Sequence, residues 1–284
     1  MKKIALVVKW HDENAHEFAT VLASWLSTMG YMVLCESPSS IPYAQGVDSD
    51  ELVSTSEVMI VLGGDGTLLH AASLMQKTVI PVIGINMGSL GFLTPFTSRN
   101  CRTGIEAALQ GKLKKAPRAR LDTRLLRNNN EIFRTLASND VVINHDKMAR
   151  LMEIHCHVDD AFVASYKSDG LIVSTPMGST AYALAAGGPV LSPEMDAVSI
   201  VPICPHQLTQ RPMVIPSSSC LSVKVHQKAF LTVDGQRGCV VQPDDLILIS
   251  ESLKPLMVFL PDDYSIFNVL RHKLSWGVRE SSDA

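Results

Sequence analysis

Residues 57–67, Glu57-Val58-Met59-Ile60-Val61-Leu62-Gly63-Gly64-Asp65-Gly66-Thr67, decide how this chain is read. The apolar run from Val58 to Leu62 ends abruptly at Gly63, and from Thr67 onward Leu68, Leu69, Ala71, Ala72, Leu74 and Met75 fall at helical spacing. The pattern is buried strand, glycine turn, helix. In open α/β sheets such a turn lies at the carboxyl end of a strand, where ligands bind, and the following helix offers N–H groups and a partial positive charge to an anion. Asp65 places a carboxylate inside this anion-friendly loop, as a base, a metal ligand or a hydroxyl holder. The plainer reading is a tight turn that needs positive φ, with Asp65 capping the helix.

Outward from this stretch the same alternation continues. Residues 4–8 form an apolar run, and Ala15, Phe18, Ala19, Leu22, Trp25, Leu26 and Met29 mark one face of a helix ended by Gly30. Residues 31–35 read as a second strand, residues 37–42 as a Ser- and Pro-rich loop, and residues 79–85 as a further buried strand. Strands alternating with helices predict a doubly wound, mostly parallel sheet. Residues 86–93, with Gly88 and Gly91, follow the last of these strands at the edge where the first glycine turn lies. Two glycine-bearing loops are therefore expected to face one crevice, the alternative being a loop chosen for turn geometry alone.

A helix over about 103–109 ends at Gly111, and the character then changes. Residues 121–127, 132–136, 141–144, 151–158, 162–166, 171–174, 221–225, 230–233 and 246–250 are short runs separated by polar turns. The expected fold class is α/β: an N-terminal doubly wound, mostly parallel α/β domain over 1–112, then a β-rich, sandwich-like domain over 113–255. The tail, 256–284, is expected to pack back on the first domain.

Composition narrows the function classes. The chain has 284 residues, 46% of them apolar, which is enough for a substantial core, and a net charge of −3. With a pI near 6.3 it lacks the basic footprint of a nucleic-acid binder. The basic run 112–127 is interleaved with apolar residues and reads as a solvated linker entering a strand. Six cysteines (Cys35, Cys101, Cys156, Cys204, Cys220, Cys239) show no Cys-x-x-Cys pair and are expected to be reduced, in a cytoplasmic setting. The opening run resembles a signal peptide, but Lys9, His11, Asp12 and Glu13 interrupt it and favour a first strand. Residues 171–193 carry no charge, yet their prolines, glycines and hydroxyls suit a ligand-lining loop better than a membrane span, so no membrane partner is expected.

The commonest nucleotide motifs are absent. No Gly-x-x-x-x-Gly-Lys-Ser/Thr loop occurs, and the dinucleotide fingerprint fails because Leu69 stands where a third glycine belongs. His155-Cys156-His157 would set two imidazoles on one side of a strand, without further ligands at metal-site spacing; Cys204-Pro205-His206 lacks a pattern that identifies partners for a nucleophile. In the β-rich half, Asn139-Asp140 suits adenine or ribose hydroxyls, or forms an ordinary turn. Lys167-Ser168-Asp169-Gly170, followed by Gly178-Ser179-Thr180 and a short helix of Ala, Tyr and Leu, predicts a second helix N-terminus fit for an anion.

These segments, with Gly84-Ile85-Asn86, residues 88–93, residues 202–206, Arg211-Pro212 and Asp234-Gly235-Gln236, resemble the NAD kinases of the ATP-NAD kinase type, bacterial branch, in order over about 57–270. The glycine-aspartate loop alone is shared with diacylglycerol and sphingosine kinases and, more loosely, phosphofructokinases; the later segments single out the NAD kinases. The resemblance implies transfer of the γ-phosphoryl of ATP, or in some members polyphosphate, to the 2′-hydroxyl of the adenosine ribose of NAD, with a divalent metal, usually Mg2+, and no protein metal cluster announced. It implies Asp65 as the base, and Gly63, Gly64, Gly66 and Thr67 as the phosphate-donor loop. Contacts to NAD would come from Asp65, Gly66, Asn139, Asp140, Arg150, Lys167, Asp169, Thr180, Ala181, Tyr182, Ala183, Leu184, Ala185 and Gln236. Ala185 replaces a frequent serine, and Lys167 stands where arginine or histidine is common. His70 sits at a position that is basic in some relatives and reads here as a surface helix histidine. A homodimer or homotetramer is implied. The competing classes are a lipid kinase, which should carry a membrane-docking patch, and a non-catalytic dinucleotide-binding regulator, which gains little from keeping Asp65.

Overall fold

The apolar run at the start forms β1 (Lys3–Val8), after which Asp12 caps α1 (Glu13–Thr28) by accepting the Ala15 N–H at 3.1 Å. The alternation continues through β2 (Met32–Glu36), β3 (Ala44–Val47), α2 (Ser49–Thr55), β4 (Val58–Gly63), α3 (Asp65–Leu74), β5 (Val82–Asn86), β6 (Phe96–Thr97), α4 (Cys101–Leu109) and β7 (Lys114–Arg118). In this computed structural model, which describes residues 1–88, 91–145 and 152–276, the chain divides into two compact units. One comprises residues 1–116 and 257–284, the other residues 117–256.

The first unit is built on a sheet ordered β3-β2-β1-β4-β5, continued by a late strand, β20 (Leu256–Leu260), and then β7, with β6 paired to β5. β1 pairs in parallel with β2 and β4, β4 with β5, and β5 with β20. Every residue of β4 is buried, the reason its sequence reads as a continuous apolar run instead of an alternating one. Ala15, Ala19, Leu22 and Leu26 of α1 and Ile105 of α4 pack with Ile4, Leu6, Ile60, Leu62, Ile83 and Phe259 of the sheet. Each fully buried Leu or Ile contributes about 1.5–3 kcal/mol. β3 lies at the sheet edge, and α6 (Ile266–Leu274) follows β20.

The second unit is a sandwich of two antiparallel sheets. Its strands are β8 (Leu121–Arg127), β9 (Asn130–Ala137), β10 (Asp140–His145), β11 (Met152–Val158), β12 (Ala161–Ser168), β13 (Gly170–Ser174), β14 (Ala197–Ile203), β15 (Met213–Pro216), β16 (Leu221–Val225), β17 (Ala229–Val233), β18 (Arg237–Val241) and β19 (Leu246–Glu251). One sheet runs β15-β14-β13-β10-β17-β18 and the other β12-β11-β16-β19-β8-β9. Val141, Ile143, Leu171, Val173, Leu231 and Val233 of the first sheet meet Leu125, Ile154, Cys156, Val223, Ile247 and Ile249 of the second. The opposite face of the first sheet is covered as well: Val142, Ile172 and Val201 pack against Ala183 from the short α5 (Tyr182–Ala185). β10 and β13 are therefore apolar on both faces.

The helix expected after Gly178 is shorter than the sequence implies. A single 3-10 turn over Met177–Thr180 breaks at Ala181 (φ −98°, ψ −130°) before the one turn of α5. No continuous row of peptide dipoles forms there, and the anticipated anion-binding helix N-terminus is replaced by two separate turns. Strands β3, β6, β7, β14, β15, β18 and β20 were not predicted from the sequence.

Candidate active site

At the end of β4, Gly63 is the last strand residue, Gly64 the helix N-cap (φ −109°, ψ −163°) and Asp65 the first residue of α3. None of Gly63, Gly64 and Gly66 has positive φ, so the left-handed turn of the plainer reading is not what requires glycine here. Space is what requires it. A Cβ on Gly63 would stand 2.2 Å from Thr67 Oγ1, whereas Cβ atoms on Gly64 or Gly66 would meet no heavy atom of the described residues within 4 Å. With no side chain at Gly64 or Gly66, there is room beside the start of the helix, where peptide dipoles favour an anion.

Asp65 does not cap its own helix, since the N-cap is Gly64 and no side-chain cap bond forms. Its carboxylate reaches instead to the segment after β5: Oδ2 accepts the Phe92 N–H at 3.0 Å and Oδ1 the Leu93 N–H at 2.9 Å. Gly91 makes room, because a Cβ there would lie 2.3 Å from Asp65 Oδ1. The Asn86 side chain ties the same segment, donating to Thr94 Oγ1 at 3.3 Å and accepting the Gly88 N–H at 2.6 Å. The two glycine-bearing loops are thus joined through Asp65. A carboxylate has about four acceptor directions, so each oxygen keeps capacity for a further partner.

His70, read from sequence as a bare surface histidine, is two-thirds buried and its Nε2 lies 2.7 Å from Glu36 Oε2 at the end of β2. Ser49 donates to the other Glu36 oxygen at 2.7 Å. These hydrogen bonds, that from His70 first, hold the Glu36 carboxyl below its ordinary range.

In the β-rich unit the expected ligand residues fall into two groups along β13. Asp140 pairs with Ser174 at its last residue, while Asn144 pairs with Gly170 at its first. Asn139 and Asp140 are buried, and the buried Asn139 Oδ1 atom has no hydrogen-bond partner among the described residues. Gly178 packs so tightly against this turn that a Cβ would lie 2.2 Å from the Asn139 carbonyl oxygen. Gln236 lies nearby in the β17–β18 turn, where its N–H donates to Val233 O at 3.0 Å, and the Asp234 N–H donates to Asp140 O at 2.9 Å. At the other end, the Asp169 N–H donates to Ile203 O at 3.0 Å, and the His206 N–H to the carbonyl of exposed Lys167 at 2.8 Å. The two groups stand about 15 Å apart along five strand residues, a span suited to an extended ligand. Of residues 180–185, Ala183 is buried against the sheet, while Tyr182 and Ala185 are exposed and Thr180, Ala181 and Leu184 half-buried. Arg150 lies outside the described residues.

Burial pushes the Asp140 carboxyl up to about 7, with the neighbouring Asp234 adding to the shift. Burial also raises Asp234, against the opposing pull of three backbone N–H groups and Arg120. Arg120, fully buried, is itself lowered to about 10 by burial. Asp234 and Arg120 were not among the sequence candidates; the Asp-Gly-Gln triplet pointed to the place, but only the fold shows what the aspartate grips.

Comparison with known proteins places both units. Residues 4–113 match the ATP-NAD kinase N-terminal domain and residues 138–259 the ATP-NAD kinase C-terminal domain. The NAD kinases of Solibacter usitatus and Syntrophobacter fumaroxidans are 37% and 39% identical to this chain, each across 98% of it and 99% of their own length. The chain belongs to the ATP-NAD kinase family. It is a phosphotransferase that carries phosphate from ATP to NAD and so makes NADP. Among solved structures, yeast NADH kinase complexed with NADH is similar at a TM-score of 0.92 and 25% identity, covering 98% of this chain and 89% of that one. An NAD kinase from Archaeoglobus fulgidus in complex with ATP is similar at 0.77 and 25% identity, covering 96% and 98%. Among the described residues no helix of the enzyme is long and apolar enough to cross a membrane.

Proposed function

We propose that Asp65 is the general base of this phosphotransfer and that Gly63, Gly64, Gly66 and Thr67 cradle the donor phosphates. The observation that carries the reading is the pairing of a fixed carboxylate at the start of α3 with two flanking glycines that front on open space. Phosphoryl transfer asks little covalent chemistry of a protein, which positions the nucleophile and offsets developing charge. Asp65, oriented by Phe92 and Leu93, takes the proton of the 2′-hydroxyl as that oxygen attacks the terminal phosphorus of ATP, and the bond from that phosphorus to the β–γ bridging oxygen breaks to release ADP. Asn139, Asp140, Lys167, Asp169, residues 180–185 and Gln236 hold NAD, and the unpartnered Asn139 Oδ1 supports this by leaving an acceptor for a ligand donor.

A divalent cation, Mg2+, accompanies the donor. Among the described residues no group of three or more His, Cys, Asp or Glu side chains converges to hold a metal. The cation is carried mostly by the phosphate oxygens of the donor and its own waters. When bound, the ion supplies charge neutralisation to the phosphates. The six free thiols suit a reducing cytoplasm, and the assembly is a homodimer or homotetramer, which light scattering on the purified protein tests.

The experiment is incubation with NAD, Mg2+ and either ATP or polyphosphate, with NADP read by an NADP-specific dehydrogenase. NADP formation with ATP is the expected result. An absence of NADP with both donors, or phosphorylation of added diacylglycerol in its place, overturns it.

A further inference from the structure

The turn carrying Asn139 and Asp140 is gripped by side chains from two other segments. Asp234, at a left-handed φ of 51°, accepts three successive backbone N–H groups: Asn139 at 2.7 Å and Asp140 at 3.0 Å on Oδ1, and Ser138 at 2.8 Å on Oδ2. Three consecutive N–H groups aimed at one point form an anion-binding nest, and here the nest is filled by the protein's own carboxylate. From the end of β13, the Thr175 N–H donates to the Asn139 carbonyl at 2.9 Å and its hydroxyl to the Ser138 carbonyl at 2.7 Å. The same hydroxyl accepts the Gly178 N–H at 3.0 Å, which joins the turn to the segment leading to α5. The backbone of residues 138–140 is therefore fixed by these partners, while the Asn139 Oδ1 in the middle has none among the described residues.

We propose that Asp234 and Thr175 are positioning residues for the dinucleotide: they fix residues 138–140 so that the Asn139 carboxamide and the Asp140 carboxyl meet NAD in one set orientation. They touch no substrate. The proposal rests on the reading of Asn139 and Asp140 as dinucleotide contacts. Its physical basis is preorganisation, since a contact whose backbone is already fixed loses less freedom when the ligand arrives. Loss of either grip acts on NAD binding and leaves the donor loop, Gly63 to Thr67, untouched.

The test is steady-state kinetics of Asp234→Asn, Thr175→Val, Thr175→Ser and Asn139→Ala, with the KM for NAD and for ATP measured separately and folding checked by thermal melting. Asp234→Asn replaces one accepting oxygen by a donor that faces an N–H. It is expected to raise the KM for NAD about tenfold or more and to leave the KM for ATP within about twofold. Thr175→Val is expected to do the same, and Thr175→Ser, which keeps the hydroxyl, to return the KM for NAD to within about twofold of the parent. A general structural role would move both KM values and would not be rescued by serine. If Asn139→Ala leaves the KM for NAD unchanged, the contact reading itself fails. If Asn139→Ala raises it while Asp234→Asn and Thr175→Val leave it within twofold, or raise both KM values alike, the positioning role is overturned. Should Asp234→Asn fail to fold, the Thr175 pair decides by the same criteria.

Discussion

Asp65 in the α/β unit and Asp234 in the β-rich unit make the same local arrangement in opposite surroundings. Each accepts backbone N–H groups from a distant segment, Asp65 two of them across 27 and 28 residues and Asp234 three across 94 to 96. Around Asp65, the glycines at 64 and 66 leave space in which a ligand can stand. Around Asp234, the gripped turn is closed against Gly178 and Thr175. One carboxylate is oriented and still accessible, which suits chemistry. The other is used up in holding backbone, which suits positioning.

The contrast can be broken most forcefully at Asp65. Asp65→Asn is expected to lower turnover about 10²–10⁴-fold in NADP formation assays, the range for a general base, with the melting temperature little changed. Gly91→Ala tests whether the orientation of that carboxylate matters. Its Cβ would intrude to 2.3 Å from Asp65 Oδ1, and a displacement of this order is expected to cost about 10²-fold in kcat. Retention of full activity in Gly91→Ala would detach the Phe92–Leu93 contacts from function.

A smaller effect sharpens the other side of the comparison. Asp140 ionises at 3.8 when unperturbed, whereas burial and Asp234 hold it up to about 7 in the fold. Between these values the folded protein binds more protons than the unfolded chain, so this group's contribution is fully present below about 3.8 and is lost as pH rises through about 7. Asp234 is raised in the same direction. Asp140→Asn, which removes the buried charge at constant shape, is expected to stabilise the protein by about 1–3 kcal/mol at pH 8, by roughly a third of that at pH 5 and by little at pH 4, as read from urea unfolding. Smallest is Gly64→Ala. With no described residue within 4 Å of the new Cβ, stability should stay within about 0.5 kcal/mol, while the KM for ATP rises several-fold if phosphate stands in that space.

What the sequence revealed follows from how local each cause is. The run 58–62 ending at Gly63 and the periodicity from Leu68 are local, and they delimit β4 and α3 closely. The glycines of 63–66 are legible as a loop, but their reason is not, because the contact of Gly63 with Thr67 is a matter of packing and not of φ. The partners of Asp65 and Asp234 lie far along the chain, and nothing in local patterning pairs residue 65 with 92 or residue 234 with 139. β20 enters the first sheet beside β5 after the whole second unit has intervened, an insertion that periodicity does not encode. β3, Ala-Gln-Gly-Val at a sheet edge, is too short and too polar to announce itself. Glu36 and His70 belong to different elements, which is why His70 reads as an isolated surface residue until the fold brings its ring to Glu36 at the end of β2.

The division of labour is tested most directly by calorimetric titration of NAD into Asp65→Asn and Asn139→Ala. NAD affinity is expected to stay within about tenfold of the parent in Asp65→Asn and to fall further than that in Asn139→Ala. Binding lost in Asp65→Asn and retained in Asn139→Ala would contradict it.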